Sequence, residues 1–252
     1  MFEPLSRRSL AADVFHQLRA RIVGGEVAPG SALPAERTLA SLLKVNRNAV
    51  REGLKRLEQA GLVAIQQGGP TRVLDFRRTA GLELLATLLV RPDGSIAVDV
   101  VRGIVEFRSA IAPAIGRFAA ERASPEDAAA IDAVVRDMRA AGGDVQRLAR
   151  LALDFWKCVV AATKNVAFEL AFNSLAVSYG AVVDQLSHVM ADEAGATDDY
   201  EALARAIAAG EAEKAAKLSV AITARGARAF DRVLEALGDD DKARARPRRR
   251  RS

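Results

Sequence analysis

Leu33-Pro34-Ala35-Glu36-Arg37, Val45-Asn46-Arg47-Asn48-Ala49-Val50-Arg51-Glu52, Leu57-Glu58-Gln59-Ala60-Gly61-Leu62-Val63 and Ile65-Gln66-Gln67-Gly68-Gly69-Pro70-Thr71-Arg72-Val73 lie in order between residues 33 and 73. Pro34 suits the first position of a helix, where its missing N–H costs nothing. That helix is expected to run to about Leu43, with Leu39, Leu42 and Leu43 inward. Asn46 is a good N-cap for the next helix. Its Val50, Leu54 and Leu57 point inward, which leaves Arg47, Asn48, Arg51 and Lys55 outward. Gly61 stops it. Leu62 to Gln66 and Thr71 to Phe76 are β-prone runs about Gln67-Gly68-Gly69-Pro70, a turn signal with two glycines. Helix, tight turn, helix and hairpin together predict a winged helix-turn-helix, which implies recognition of duplex DNA.

Outward from this stretch, Leu10, Val14, Leu18 and Ile22 repeat at helical spacing, and Gly24-Gly25 ends that first helix. From Thr79 onward the pattern is helical only, with helices expected at about 79–90, 97–122, 125–140, 144–162, 166–190, 199–209 and 211–237. Ser124-Pro125-Glu126-Asp127 is the clearest start signal, with a cap, a proline and acids in the first turn. The fold class is therefore mostly α. An N-terminal winged helix-turn-helix domain (1–78) precedes a C-terminal all-α helical-bundle effector and dimerisation domain (79–238). A basic tail, 239–252, is expected to be disordered.

Charge follows the same division. Residues 1–80 carry a net +6, residues 81–238 a net −5 and the tail +4. A basic front joined to an acidic body is the asymmetry of a nucleic-acid reader with a sensory domain attached. Half of the residues are apolar and only 5% aromatic, so alanine-rich helices packed at close range are favoured over a β-sandwich. The single cysteine, Cys158, excludes an internal disulfide framework and suits a reducing cytoplasm as a small packed side chain. No stretch resembles a signal peptide or a membrane span, so a cytoplasmic protein with no membrane partner is expected.

Arg47, near the start of the third helix, is placed to read a guanine through O6 and N7. Arg51, one turn later, suits a base or the flanking phosphate, and so does Arg37 on the second helix. Gln67 and Gly68 at the wing tip are small and polar enough to enter a minor groove, with Arg72 neutralising a phosphate beside them. An enzyme is not expected: no nucleophile stands with its base, and there is no metal cluster and no phosphate-binding loop.

The Leu33–Arg37, Asn46–Glu52 and Leu57–Val63 blocks resemble the GntR family of bacterial repressors. The run from Gly69 to Leu85 is similar to its FadR subfamily, with Glu106-Phe107-Arg108, Lys164-Asn165 and Ala209-Gly210-Glu211-Ala212 matching the family's all-helical FCD-type effector domain. The resemblance implies a homodimer on palindromic operator DNA, contacted through Arg37, Arg47, Asn48, Arg51, Gln67 and Gly68. Family members usually carry Thr where Asn48 and Ala49 stand, and the subfamily a wing histidine where Gln67 stands. Many relatives hold a divalent metal with one Asp and three His. Here Ala152 and Trp156 take two of those positions and the chain has two histidines in all, His16 and His188, so no metal and no cofactor is expected. The fatty-acid-responsive members also lack the metal and use the cavity for a long-chain acyl-CoA, whose binding relieves DNA binding. The matching effector residues are Arg108 and Tyr179. Gly226, between Arg225 and Arg228, lets a ligand approach the backbone while the arginines meet phosphates. The alternative effector is a small carboxylate (a sugar acid, amino acid or dicarboxylate) held by Arg108 without metal.

Overall fold

The computed structural model describes residues 10–66, 68–91, 94–180 and 191–244, with side chains of the last helix described as far as Arg232. The chain forms two compact units, divided between Ala97 and Val98. The sequence places the boundary earlier, at 78/79.

The first unit contains α1 (Leu10–Val23), α2 (Glu36–Leu43) and α3 (Arg47–Gln59), then β1 (Val63–Ala64) and β2 (Arg72–Val73). Val14, Leu18 and Ile22 of α1 pack on Val50, Leu54 and Leu57 of α3. The two helices approach closely because of Gly53, where an added Cβ would stand 2.6 Å from Val14 Cγ1. In the turn between α2 and α3, Lys44 adopts a left-handed conformation (φ 53°) that carries the chain sharply into α3. α2 begins at Glu36 with Ala35 as its cap, so Pro34 lies just ahead of the helix rather than in its first turn. Leu39 is buried as expected, but Leu42 is 67% exposed. Leu43, one turn beyond Leu39, flanks the core instead.

At the end of α3, Leu62 N–H donates to Leu57 O and Gly61 N–H to Glu58 O, with Gly61 at φ +68°. That is a Schellman closure, and it satisfies the last carbonyls of the helix. The strands pair antiparallel, Val63 with Val73 and Ala64 with Arg72. They are shorter than the sequence suggests, because Ile65 N–H turns to the Glu58 carboxylate (2.9 Å) and Asp75 caps the next turn. Residues 30–33 run along the other edge of β2, through Val73 N–H to Ser31 O and Leu33 N–H to Thr71 O.

The helix expected over 79–90 is broken into α4 (Phe76–Thr79), a 3-10 turn (Leu82–Leu84) and α5 (Leu85–Leu88), followed by a bridge between Val90 and Ile96. Extended Ala80 and Gly81 interrupt it, with Gly81 N–H tied to the Glu83 carboxylate at 3.1 Å.

The second unit is helical: α6 (Val98–Arg122), α7 (Pro125–Ala140), α8 (Val145–Ala162), α9 (Val166–Gly180), α10 (Ala191–Ala194), α11 (Thr197–Ala208) and α12 (Ala212–Arg244). The α7 start is a full capping box. The Ser124 hydroxyl accepts from Asp127 N–H, and the Asp127 carboxylate accepts from Ser124 N–H. Asp144 caps α8 by accepting from Arg147 N–H. α12 continues through Asp239-Asp240-Asp241 to Arg244, past residue 239 where the disordered tail is expected to begin; no Gly or Pro lies between Gly238 and Pro247 to stop it. The rest of the tail, 245–252, lies outside the described residues, as does the continuation of the helix expected to reach 190. α6 and α12 form the most extensive helix pair. Phe155 and Tyr200, edge to face at 4.8 Å, occupy the centre of the core.

Two predictions concern these contacts. Gly53→Ala forces a methyl group into Val14 and is expected to cost about 1–3 kcal/mol, the range for an overpacked core, read as a lower urea midpoint. Lys164 and the Ser124 amide hold the Asp127 carboxyl below the usual carboxylate range. A depressed pKa gives stability that is present above the ordinary carboxylate pKa of about 4 and is lost as pH falls through the folded value. Asp127→Asn is expected to cost about 0.5–2 kcal/mol at neutral pH and to flatten the acid side of the stability profile, measured by urea unfolding from pH 7 to 3.

Candidate nucleic-acid interface and ligand cavity

Asn46 fixes the start of α3, its side chain accepting from Ala49 N–H at 2.8 Å. Arg47 and Asn48, the next two residues, therefore extend into solvent from the first turn of the helix, opposite the buried Val50 and Leu54. Arg51, one turn on, is also exposed, but its guanidinium is engaged by Glu36, Nη2 to Oε2 at 3.2 Å. This pair ties the start of α2, with exposed Arg37 beside it, to the first turns of α3. Glu36 stands in the sequence motif, but its pairing with a residue fifteen positions away has no local signal. A guanidinium has five donors, so Arg51 can keep Glu36 and still meet a nucleic-acid oxygen. Lys55 is occupied by Glu52 at 3.1 Å.

On the wing, Gly68 is exposed at φ +71°, with open space where a Cβ would stand. The left-handed turn, rather than crowding, calls for glycine there. Arg72 is exposed on β2 and donates to Gly30 O at 3.1 Å, bracing the hairpin against residues 30–33. Gln67 lies outside the described residues.

In the helical unit, Arg108 on α6, Tyr179 on α9 and Gly226 on α12 meet around a fourth residue that the sequence reading did not single out, Glu193 on α10. Arg108 Nη2 donates to both Glu193 carboxylate oxygens, at 2.5 and 2.6 Å, and the Glu193 side chain is only 5% exposed. Burial pushes the Glu193 carboxyl up, while Arg108 and a backbone hydrogen bond from Gly226 pull it back. Burial likewise opposes the Arg108 charge, and the Glu193 carboxylate more than restores it. Burial raises the phenols of Tyr179 and Tyr200, so both are neutral donors at physiological pH.

Two small cavities flank the pair. One, of about 90 Å³, is mostly apolar and lies between α6, α8, α9 and α12, lined by Ile104, Ile111, Ile115, Phe172 and Leu175 with Arg108 and Tyr179 at its polar end. The other, of about 40 Å³, is bounded by Ala152, Trp156, Arg108, Tyr179 and Glu193. Trp156 lines both. Ala152 and Trp156, at two of the metal-ligand positions of the family resemblance, offer no metal ligand, and among the described residues Glu193 is the one carboxylate lining the two cavities. Among the described residues no group of three or more His, Cys, Asp or Glu could hold a metal ion. His188 lies outside the described residues.

Arg225, beside Gly226, does not face this cavity as a phosphate anchor, and Arg228 is exposed. Arg225 is bound to Asp199, Nη2 to Oδ2 at 2.7 Å, on the wall of an open cleft that also holds Arg139, Asp192 and Asp198. Three carboxylates against two guanidinium groups make that cleft a poor host for an anion. Burial also pushes the Cys158 thiol up, away from reactivity. No helix among the described residues is long and apolar enough to cross a membrane.

Comparison with known proteins agrees with both halves. Residues 10–73 match the family described as bacterial regulatory proteins, gntR family, and residues 103–225 match the FCD domain. The chain is 41% identical over 218 residues to the HTH-type transcriptional regulator Mce2R of Mycobacterium tuberculosis, covering 85% of this chain and 90% of that one. A fatty acid metabolism regulator protein of Vibrio cholerae is 42% identical over 98 residues, which is 39% of this chain and 35% of that regulator. The fold is shared with Lar, which controls expression of the Listeria monocytogenes agr system, at a TM-score of 0.58 and 17% identity over 92% of this chain and 99% of that one. Such proteins are transcriptional regulators and not enzymes, and DNA binding is the work of the first unit. The chain belongs to the GntR family of bacterial regulators, as a member that joins a GntR winged helix-turn-helix to an FCD domain.

Proposed function

We propose that this regulator binds a short palindromic operator as a homodimer and leaves it when an effector enters the FCD domain. The observation that carries the DNA half is the first turn of α3. There Arg47 and Asn48 are exposed at the end of a helix whose other face is buried in the core. A recognition helix in the major groove meets base edges with its N-terminal residues, and one such helix makes too few contacts for tight specificity, so two-fold proteins use two-fold sites. In this reading Arg47 reads a guanine, and Arg37, Asn48 and Arg51 contact bases or phosphates. Gln67 and Gly68 enter the minor groove, while Arg72 holds a phosphate.

The effector we propose is a long-chain acyl-CoA or a similar thioester. Support comes from the partial likeness to the Vibrio fatty acid metabolism regulator, from the apolar cavity beside α9 and from a lining with Ala152 and Trp156 at two metal-ligand positions of the family resemblance. A volume of about 90 Å³ does not hold a long acyl chain, so entry requires the helices around the cavity to part. Release of DNA is then a population shift whose size is the ligand's preference for the state with parted helices. A ~100-fold loss of operator affinity needs about 2.7 kcal/mol of such coupling.

Arg47→Ala is expected to weaken operator binding by ~1–3 kcal/mol, the value of a bidentate base contact. Arg72→Ala should weaken binding to all duplexes evenly and lower the salt slope by about one unit. Fluorescence anisotropy with the protein's own promoter region and a random duplex at physiological salt measures both. Equal affinity for the two duplexes overturns the DNA reading, and an unchanged affinity for Arg47→Ala removes that residue from the interface. Titration of C12 to C18 acyl-CoAs into the protein–operator complex tests the effector. Release by these is expected, whereas release only by a sugar acid or dicarboxylate overturns the lipid reading and leaves the regulator intact.

A further inference from the structure

The Arg108–Glu193 pair bears on which ligands the cavity accepts. Arg108 is the cation on the walls of both cavities, and it is the group that a ligand carboxylate would seek. Glu193 already holds that position, with both of its oxygens on one guanidinium nitrogen and its side chain nearly sealed from solvent. An incoming carboxylate competes with one that is tethered in place by α10, and a tethered group acts at an effective concentration of millimolar or above. Displacing Glu193 leaves it buried without its cation, and sharing the remaining Arg108 N–H groups sets a second negative charge beside it; a low-dielectric interior disfavours both. The charge of the site is balanced before any ligand arrives.

Its hydrogen bonding is less complete. The indole N–H of Trp156 and the hydroxyl of Tyr200 are sealed from solvent and face each other, without forming a well-aligned hydrogen bond to each other or to any other described group. The indole can only donate, so the polar end of the cavity has spare donor capacity. An uncharged oxygen acceptor meets that need without a second negative charge.

We propose that Glu193 is a resident counter-ion that sets the charge specificity of the effector cavity. It excludes ligands with a free carboxylate and admits apolar molecules whose polar end is an uncharged carbonyl (an ester, thioester or amide), with Trp156 donating to the carbonyl oxygen. This rests on the reading of the FCD cavity as the effector site. It also narrows that reading, since an acyl thioester belongs to the admitted class while a fatty acid or a sugar acid does not.

Trp156 is the only tryptophan of the chain and lines both cavities, so intrinsic fluorescence of the full-length protein reports occupancy directly. The probes are methyl decanoate, decanamide and decanoate, matched in chain length and differing in charge. Wild-type protein at neutral pH is expected to bind the ester and amide at least about tenfold more tightly than decanoate, a difference readily resolved by titration. Glu193→Gln, which keeps the size and an acceptor but removes the charge, is expected to gain about tenfold or more in decanoate affinity with its ester affinity little changed. Decanoate binding to wild type as tightly as the ester overturns the proposal, and this measurement needs no variant. An unchanged decanoate affinity in folded Glu193→Gln also overturns it, as does the absence of any Trp156 response to all three probes. None of these outcomes decides whether acyl-CoA releases operator DNA, so the two readings fail separately.

Discussion

The helical unit depends on how closely α6 and α12 approach. At Gly116 a single added carbon would lie 2.2 Å from the Ser219 hydroxyl and 2.7 Å from Ala215 O, so the two helices approach too closely for any side chain at this position. From that point, two turns back along α6 lead to Arg108, and about one and two turns onward from Ser219 along α12 lead to Thr223 and Gly226. Thr223 lines the apolar cavity with Arg108, while the Gly226 backbone reaches Glu193. The ion pair and the cavity therefore lie where two helices pinned at Gly116 bring Arg108 and Gly226 to one carboxylate. α9, which packs chiefly on α8, closes the remaining side with Phe172, Leu175 and Tyr179. The walls on the α6 and α12 side are made by tight helix contacts.

Arginine–carboxylate pairs serve opposite ends in the two units. Arg51 and Glu36 meet in solvent, where an ion pair contributes between nothing and about 1 kcal/mol, so a phosphate or base can share or replace Glu36 at little cost. Arg108 is partly exposed but the Glu193 carboxylate it holds is nearly sealed, so separating them strands a buried negative charge. The same two side-chain chemistries thus give an exchangeable contact on the DNA-facing unit and a fixed one in the cavity.

Much of this was legible in the sequence wherever the determining contact is local. The Asn46 cap, the Gly61 stop and the Ser124–Asp127 capping box each close within a few residues, and each is found in the structure as read. The core face of α3 follows from helical spacing alone. Where the outcome depends on distant partners the sequence was silent. Glu193 sits in an acidic run next to Asp192 that resembles a loop, and its role comes from Arg108, 85 positions away. Arg108, Tyr179 and Gly226 were reached through family resemblance, and the residue around which they gather was not. The helix expected over 79–90 failed for a subtler reason: its apolar spacing is helical, but extended Ala80 and Gly81 break it at the start.

The hydrogen bond from Arg72 to Gly30 O has a consequence for entropy. A two-stranded hairpin alone in water is marginal and samples many tilts. Here its second strand is paired on the far side with residues 30–33, and the arginine closes that junction from above. The orientation of the wing is thus settled during folding of the domain, before any duplex is present. Less ordering then remains to be done at the moment of association, so more of each phosphate contact survives as affinity.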